Sequence, residues 1–547
     1  MALTPYTGPF GKPELIHLLR RTMFGVSPSD IKFFSGKNLD QVVDMLLDVP
    51  QAAPEPPIRA YQGKATTTFD STVAFGSTWV ETKPIATEQD PNGARRGSYK
   101  QWWTQLMAMQ ERNIREKMML FWHNHLVTDT NDTVSIAILA YRYNRLLRSS
   151  CLGNFKKLMY DITVDSAMLR YLNGEKNTSN APDENYGREL QELFCVGKGK
   201  DSKYTEDDVK SAAKVLTGWT VNYADNYQPV FRVTRHDTKD KQFSAFYSNK
   251  IIKGSASATA GTEEINALLD MIFATNETAK FLVRKLFSFF VYYDLNSETE
   301  SNLIAPLADL FRASGYEIKP TLKALFTSDW FFKSDYRGAM IKSPVDFTIG
   351  MARQMEIAWP ADPLAFESRY YFASLLYNAM FSQGQEVGDP PNVAGWPAYY
   401  QQPSFHELWV DTASYPPRLA LVDTLVNKGY STGNNNSTQW INAQSKSKIF
   451  KVDPIAFTSK LTNPSEPNAL INELVQLFYG PDVSATVKNS LKSTYLLKGQ
   501  VTDFYWTNAY NSYIANPNNP GDDGKQVPKQ LTDLFAYMFS AAEYHLH

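Results

Sequence analysis

Two of the seven histidines in this 547-residue chain stand almost together, in His123-Asn124-His125, and a third, His236, is followed directly by Asp237. Imidazole and carboxylate side chains hold Zn, Mn or Fe and move protons near neutral pH, so these positions are the first candidates for chemistry. Three more carboxylates, Glu184, Glu189 and Glu192, crowd the segment ENYGRELQELF beside the apolar stripe Leu190, Leu193 and Phe194. Together they would suit hydrolysis, with His123 and His125 as metal ligands and Glu189, Glu192, His236 and Asp237 as catalytic groups around an ion that activates water. Each also has a plainer reading. Histidines two apart diverge by roughly 200° on a regular helix, so they share an ion only where the helix ends or distorts, and they can instead cap the helix. A His-Asp pair in a loop can face a cleft or serve as an exposed polar turn.

The elements that must position these groups read as predominantly helical. Residues 99 to 126 carry a long apolar pattern through Trp103, Leu106, Met107, Ile114, Met118, Phe121 and Trp122, which predicts a mostly buried helix ending at the histidine pair. Residues 184 to 219 predict two helices joined by a Gly/Lys/Asp loop. Thr205 is the N-cap of the second, Asp208 completes a capping box, and Gly218 stops it. Residues 219 to 252 turn to short β-favouring runs, WTVNY, PVFRVT and SAFYSNKII, which predict a two- or three-stranded ribbon with His236-Asp237 between two of its segments. Helical pattern fills residues 13 to 50, 133 to 173 and 262 to 382. Residues 51 to 98 have no sustained period and predict a long irregular segment: a surface excursion, a lid or a partly disordered stretch. GQEVGDPPNVAGWP, residues 384 to 397, must be a loop with special backbone angles. The expected fold is mainly α, a multi-helix core with a small β-ribbon insertion and long irregular loops. Its expected parts are 1-98, 99-398 and a looser helical region 399-547, with helices near 417 to 428, 467 to 479, 483 to 497 and 528 to 542.

Bulk properties narrow the partners. Fifty-five Lys and Arg against 57 Asp and Glu leave a net charge of -2 with no long run of one sign, so no nucleic-acid or anionic-membrane footprint is present. Two cysteines, Cys151 and Cys195, are too few for a disulfide framework and read as small buried residues. No stretch reaches the roughly 18 apolar residues of a membrane span, and the first residues lack an export-signal pattern. A soluble, cytoplasmic chain is expected as written, with an exported form whose signal has been removed as the alternative. Aromatics make up 13% of residues, many beside Asn, Pro and Gly in the last third, where they would suit stacking on a sugar or contact with a protein.

Familiar catalytic signatures are absent from the sequence. GKGKDSKYT lacks phosphate-loop spacing, no G-x-G-x-x-G, G-x-S-x-G or H-E-x-x-H occurs, and the loop before Asp208 lacks the final glutamate of a calcium loop. What the chain does carry, in order, is LLRRTMFGVSPSDI, REKMMLFWHNHL, GNFKKLMYDITVDSAMLRYL, ENYGRELQELFCVGKGKDSKYTEDDVKSAAKVLTGW, TAKFLVRKLFSFFV and VGDPPNVAGWP. This series resembles the bacterial family called domain of unknown function 1800. The polar residues within the matching blocks are Arg115, Glu116, His123, Asn124, His125, Asn185, Arg188, Glu189, Glu192, Thr217, Trp219, His236 and Asp237. The resemblance implies a bacterial source and a sulfatase-like, exported protein encoded nearby. It also implies His-Thr where this chain has Phe194-Cys195.

Two functions follow as expectations. The first is a metal-dependent hydrolase-like enzyme with a His/carboxylate cleft. The second is a non-enzymatic binding or assembly protein, in which the same charged residues form buried ion-pair networks, Arg188 with a glutamate among them, and the aromatic, Asn-rich last third is the contact surface.

Overall fold

A computed structural model describes residues 3–61, 69–433 and 440–547. Within it 54% of residues are helical and 5% are strand, which sets the class as mainly α. The expected loop TGNNNSTQW therefore lies partly outside the described residues, as does a stretch of the irregular segment 51 to 98.

Helix boundaries follow local chemistry. Ser27 caps Pro28–Phe34 and exchanges hydrogen bonds with Asp30. Thr205 and Asp208 form the expected capping box on Glu206–Val215. Asn185–Glu189 runs on into a widened turn, Leu190–Cys195, and packs on Glu206–Val215 across Gly187. A Cβ at Gly187 would lie 3.1 Å from the Ala213 nitrogen, so glycine sets how closely these helices approach. The β content comes as separate antiparallel ribbons. Trp219–Asn222 pairs with Gln228–Phe231, and Lys241–Gln242 with Ile251–Ile252. A further ribbon, Tyr430–Ser431 with Ile449–Phe450, lies in the last third.

One apolar core runs continuously from Leu15 to Tyr544. The helices Asn92–Ala108 and Arg115–His125 run through it, with Trp103 and Trp122 fully buried. Around residue 70 the irregular segment is organised by buried arginines. Arg59 donates to the carbonyls of Asp70 at 2.8 Å and Val73 at 2.6 Å, while Arg95 makes a fully buried ion pair with Asp70. The last third contains Tyr415–Val422, Pro467–Phe478, Ala485–Leu491 and Val527–Ser540, near the expected positions. It also contains Phe504–Ala515, whose Asn, Ser, Thr and Tyr are weak helix formers; burial of Trp506, Ala509 and Tyr510 compensates for that. No helix among the described residues is long and apolar enough to cross a membrane.

Candidate functional site

The histidine pair is the place to begin, because Arg115–His125 remains helical through both residues. Regular geometry then sends the rings apart. His123 sits edge-on to Trp103 at 5.1 Å and 6.0 Å from Trp396, and its buried Nε2 has no hydrogen-bond partner. The His125 Nε2 donates to the Phe194 carbonyl at 3.0 Å, among the rings of Phe121, Phe155 and Phe281. Burial pushes His123 down to about 4 and His125 to about 3, so both are neutral at physiological pH. Phe194, where the resemblance implies histidine, is fully buried against His125, and Cys195 is buried behind it.

The carboxylates of the next block have separate partners. Arg188 binds Glu206 through two contacts at 2.8 and 2.6 Å and Glu184 at 3.2 Å. Glu192 pairs with Lys198. Glu189 is half-buried; burial and then the neighbouring Glu192 raise its pKa, against Lys198 and Arg188. His236 is buried elsewhere, with Nδ1 2.9 Å from the Thr217 carbonyl and Nε2 3.0 Å from Glu264. Glu264 also accepts from Lys241 at 2.6 Å, while Asp237 folds its carboxylate back onto the Lys239 N–H at 2.8 Å. Among the described residues no group of three or more His, Cys, Asp or Glu is placed to hold a metal ion. The donor set therefore does not fit a shared ion: His123 and His125 are held on different sides of one helix, and His236 is held by Thr217 and Glu264.

A different polar cluster forms where the loop after His125 meets residues 384 to 397. The Lys100 ammonium bonds Glu386 at 2.7 Å, Tyr377 at 3.1 Å and Asn131 at 3.2 Å, and pairs with Asp389. Asp389 also accepts the backbone N–H groups of Thr130 at 2.6 Å and Asn131 at 2.9 Å. Burial, and then contact with Asp389, pushes Asp129 up to about 6. Burial acts on Asp389 in the same sense, but Lys100, the hydrogen bond from Asp129 and the Asn131 N–H together more than reverse it and hold Asp389 below its ordinary value. The two acids titrate as a pair. Nearby, burial raises Tyr171 to about 12, with Asp129, Glu189 and Asp389 adding to the effect.

Residues 17–546 match the family described as "Protein of unknown function (DUF1800)". The chain belongs to this family. No curated protein and no solved structure matches it. In this DUF1800 chain the polar residues of the shared blocks are largely taken up internally. Glu116 pairs with Arg148 in the core, Asn124 accepts the Trp396 N–H at 2.9 Å, and Thr217 holds His236.

A groove of about 800 Å³ opens between Lys12–Thr22, the loop around Arg337 and Pro467–Phe478. Lys12, Arg20, Arg337 and Lys488 line it, against Glu473 and Asp482. Lys12 pairs with Glu473 at 2.6 Å, Lys488 with Asp482 at 2.9 Å and Arg337 with Glu14 at 3.1 Å. Arg20 has no carboxylate partner among the described residues; its guanidinium donates to the Gln476 and Leu477 carbonyls, both at 2.8 Å, and burial lowers it to about 10. No local pattern shows that Arg20 reaches carbonyls in the last third, or that Lys100 meets Asp389.

Proposed function

We propose that this chain is a binding or assembly protein and that its ligand presents an anionic group to the groove at Arg20. The observation that carries this reading is an arginine in the wall of an 800 Å³ groove with no carboxylate to neutralise it. Arg20 is half-buried, and a ligand carboxylate or phosphate that pairs with its guanidinium gains a charge-assisted hydrogen bond. The groove volume lies in the range of ordinary ligand sites, and Asn472, Gln476, Thr462 and Ser334 add neutral hydrogen-bonding groups to its lining. The walls contributed by Pro467–Phe478 belong to the last third, the region expected to make contacts. A carboxylated sugar chain and an acidic peptide both suit this lining. The hydrolase reading with His123 and His125 as a ligand pair has less support, because their rings point to different neighbours.

Titration calorimetry with oligogalacturonate and with a glutamate-rich peptide tests the proposal. Binding to either that weakens in Arg20→Gln and with added salt supports it. Failure of both to bind, or binding indifferent to Arg20→Gln, overturns it.

A further inference from the structure

A second cleft, of about 430 Å³, lies beside the helix Asn276–Phe290 and holds a lysine in an unusual setting. Its walls include Phe281, Tyr293, Tyr400 and Phe405, and Lys285 projects among them. The Lys285 Nζ is 5.5 Å from the Phe281 ring centre and 5.9 Å from that of Tyr400. Among the described residues no carboxylate pairs with it. The adjacent Arg284 takes the acids on that side, Glu300 at 2.6 Å and Glu277 at 3.3 Å. Asp294 lines the same cleft without pairing to Lys285. Burial accordingly pulls Lys285 down to about 8. Such a lysine holds more free amine near neutral pH than an ordinary one. A free amine in an aromatic-walled cleft is the arrangement that carbonyl capture requires.

We propose that this cleft captures a neutral aromatic aldehyde as an imine on Lys285. The unprotonated Nζ adds to the carbonyl carbon, a C–N bond forms, and the C=O π pair moves to oxygen, which takes up a proton released from nitrogen. The resulting carbinolamine loses its hydroxyl together with the remaining Nζ hydrogen, as water. Amine plus aldehyde therefore gives imine plus water, with no oxidant or reductant. The aromatic walls match a flat ring. Ser288, one helical turn beyond Lys285, and Asp294 line the same cleft, and supply a hydroxyl for the carbonyl oxygen and a carboxylate to relay protons. Arg284 also lines the cleft but is taken by Glu300 and Glu277, so a ligand carboxylate would meet Asp294, unpaired among the described residues, which favours a neutral ring.

The test treats the full chain with benzaldehyde and cyanoborohydride, which reduces any imine to a stable secondary amine, and maps the adduct by peptide mass spectrometry. Lys285 is expected to be labelled about tenfold faster than the mean of the other lysines, with a rate that rises to half its maximum near pH 8. Propanal, which lacks the ring, should label it more slowly, and benzoate should protect it weakly. Lys285→Arg should lose only this adduct while its circular-dichroism spectrum stays that of the parent chain. Uniform labelling, equal preference for propanal, or full protection by benzoate, which would make the cleft an anion site, overturns the proposal. None of these readouts involves the groove at Arg20.

Discussion

The Asn124 side-chain oxygen accepts the backbone N–H of Trp396 at 2.9 Å, fastening the end of Arg115–His125 to the loop that carries Asp389. With Lys100 bridging Glu386 and Asp389, and Asp389 holding the Thr130 and Asn131 amides, two distant loops become one unit. His123 is closed in between Trp103 and Trp396 as a consequence. The blocks at 115–126 and 387–397 are therefore joined by packing and hydrogen bonds.

Gly395 shows how tight that joint is. Its φ of +92° is left-handed, and a Cβ there would lie 2.3 Å from the Asn124 Oδ1 and 2.5 Å from the Asn124 carbonyl oxygen. Gly395→Ala should cost about 2–4 kcal/mol, read as a lowered urea midpoint. A midpoint equal to that of the parent chain would refute this close approach.

Buried neutral histidines set a pH dependence. His17, His125 and His545 lie near 3 and His123 near 4, against 6.5 when unfolded, in each case chiefly through burial. Folded pKa values below the unfolded ones mean that the unfolded chain binds more protons. Their stability is complete above pH 6.5 and is lost as pH falls from there toward 4 for His123 and toward 3 for the others, by on the order of 2 kcal/mol per histidine at pH 5. Asp129 and Asp165, both raised to about 6 mainly by burial, act in the opposite sense below that pH and offset only part of the loss. Urea midpoints should fall from pH 7.5 to 6.0 and further at 5.0; a flat profile contradicts the assignment.

Among the described residues Glu264 is the only full counter-charge to the buried Lys241, at 2.6 Å, since Asp237 stands 4.0 Å away. Glu264→Gln should therefore destabilise by about 3–5 kcal/mol, because it leaves a buried ammonium unpaired. Asp237→Asn should cost under about 1 kcal/mol. Comparable losses in the two variants, measured by chemical denaturation, would mean that the polar core around His236 is arranged differently.

Much of the local structure was legible in the sequence because its signals are local. Thr205 and Asp208 announce a helix start three residues apart, Gly218 a stop, and WTVNY a change of period. The 3.6-residue turn already implied that His123 and His125 diverge. Helix Phe504–Ala515 was missed because tertiary burial of Trp506 overrides weak propensity. The meetings of Lys100 with Asp389, Arg20 with the Leu477 carbonyl, and Lys285 with Tyr400 join residues far apart in the chain, and such pairings leave no periodic trace. The sites argued from them became visible only in three dimensions.

The most direct test of the binding reading is calorimetric titration of oligogalacturonate and a glutamate-rich peptide into the parent chain, Arg20→Gln and Lys488→Gln. Arg20 also caps two carbonyls, whereas Lys488 is a peripheral groove residue paired with Asp482, so the second variant separates loss of charge from loss of fold. The account predicts saturable binding by at least one ligand, about tenfold weaker in Arg20→Gln, modestly weaker in Lys488→Gln, and weaker as salt rises. No binding by the parent chain, or equal affinities in all three proteins, would contradict it.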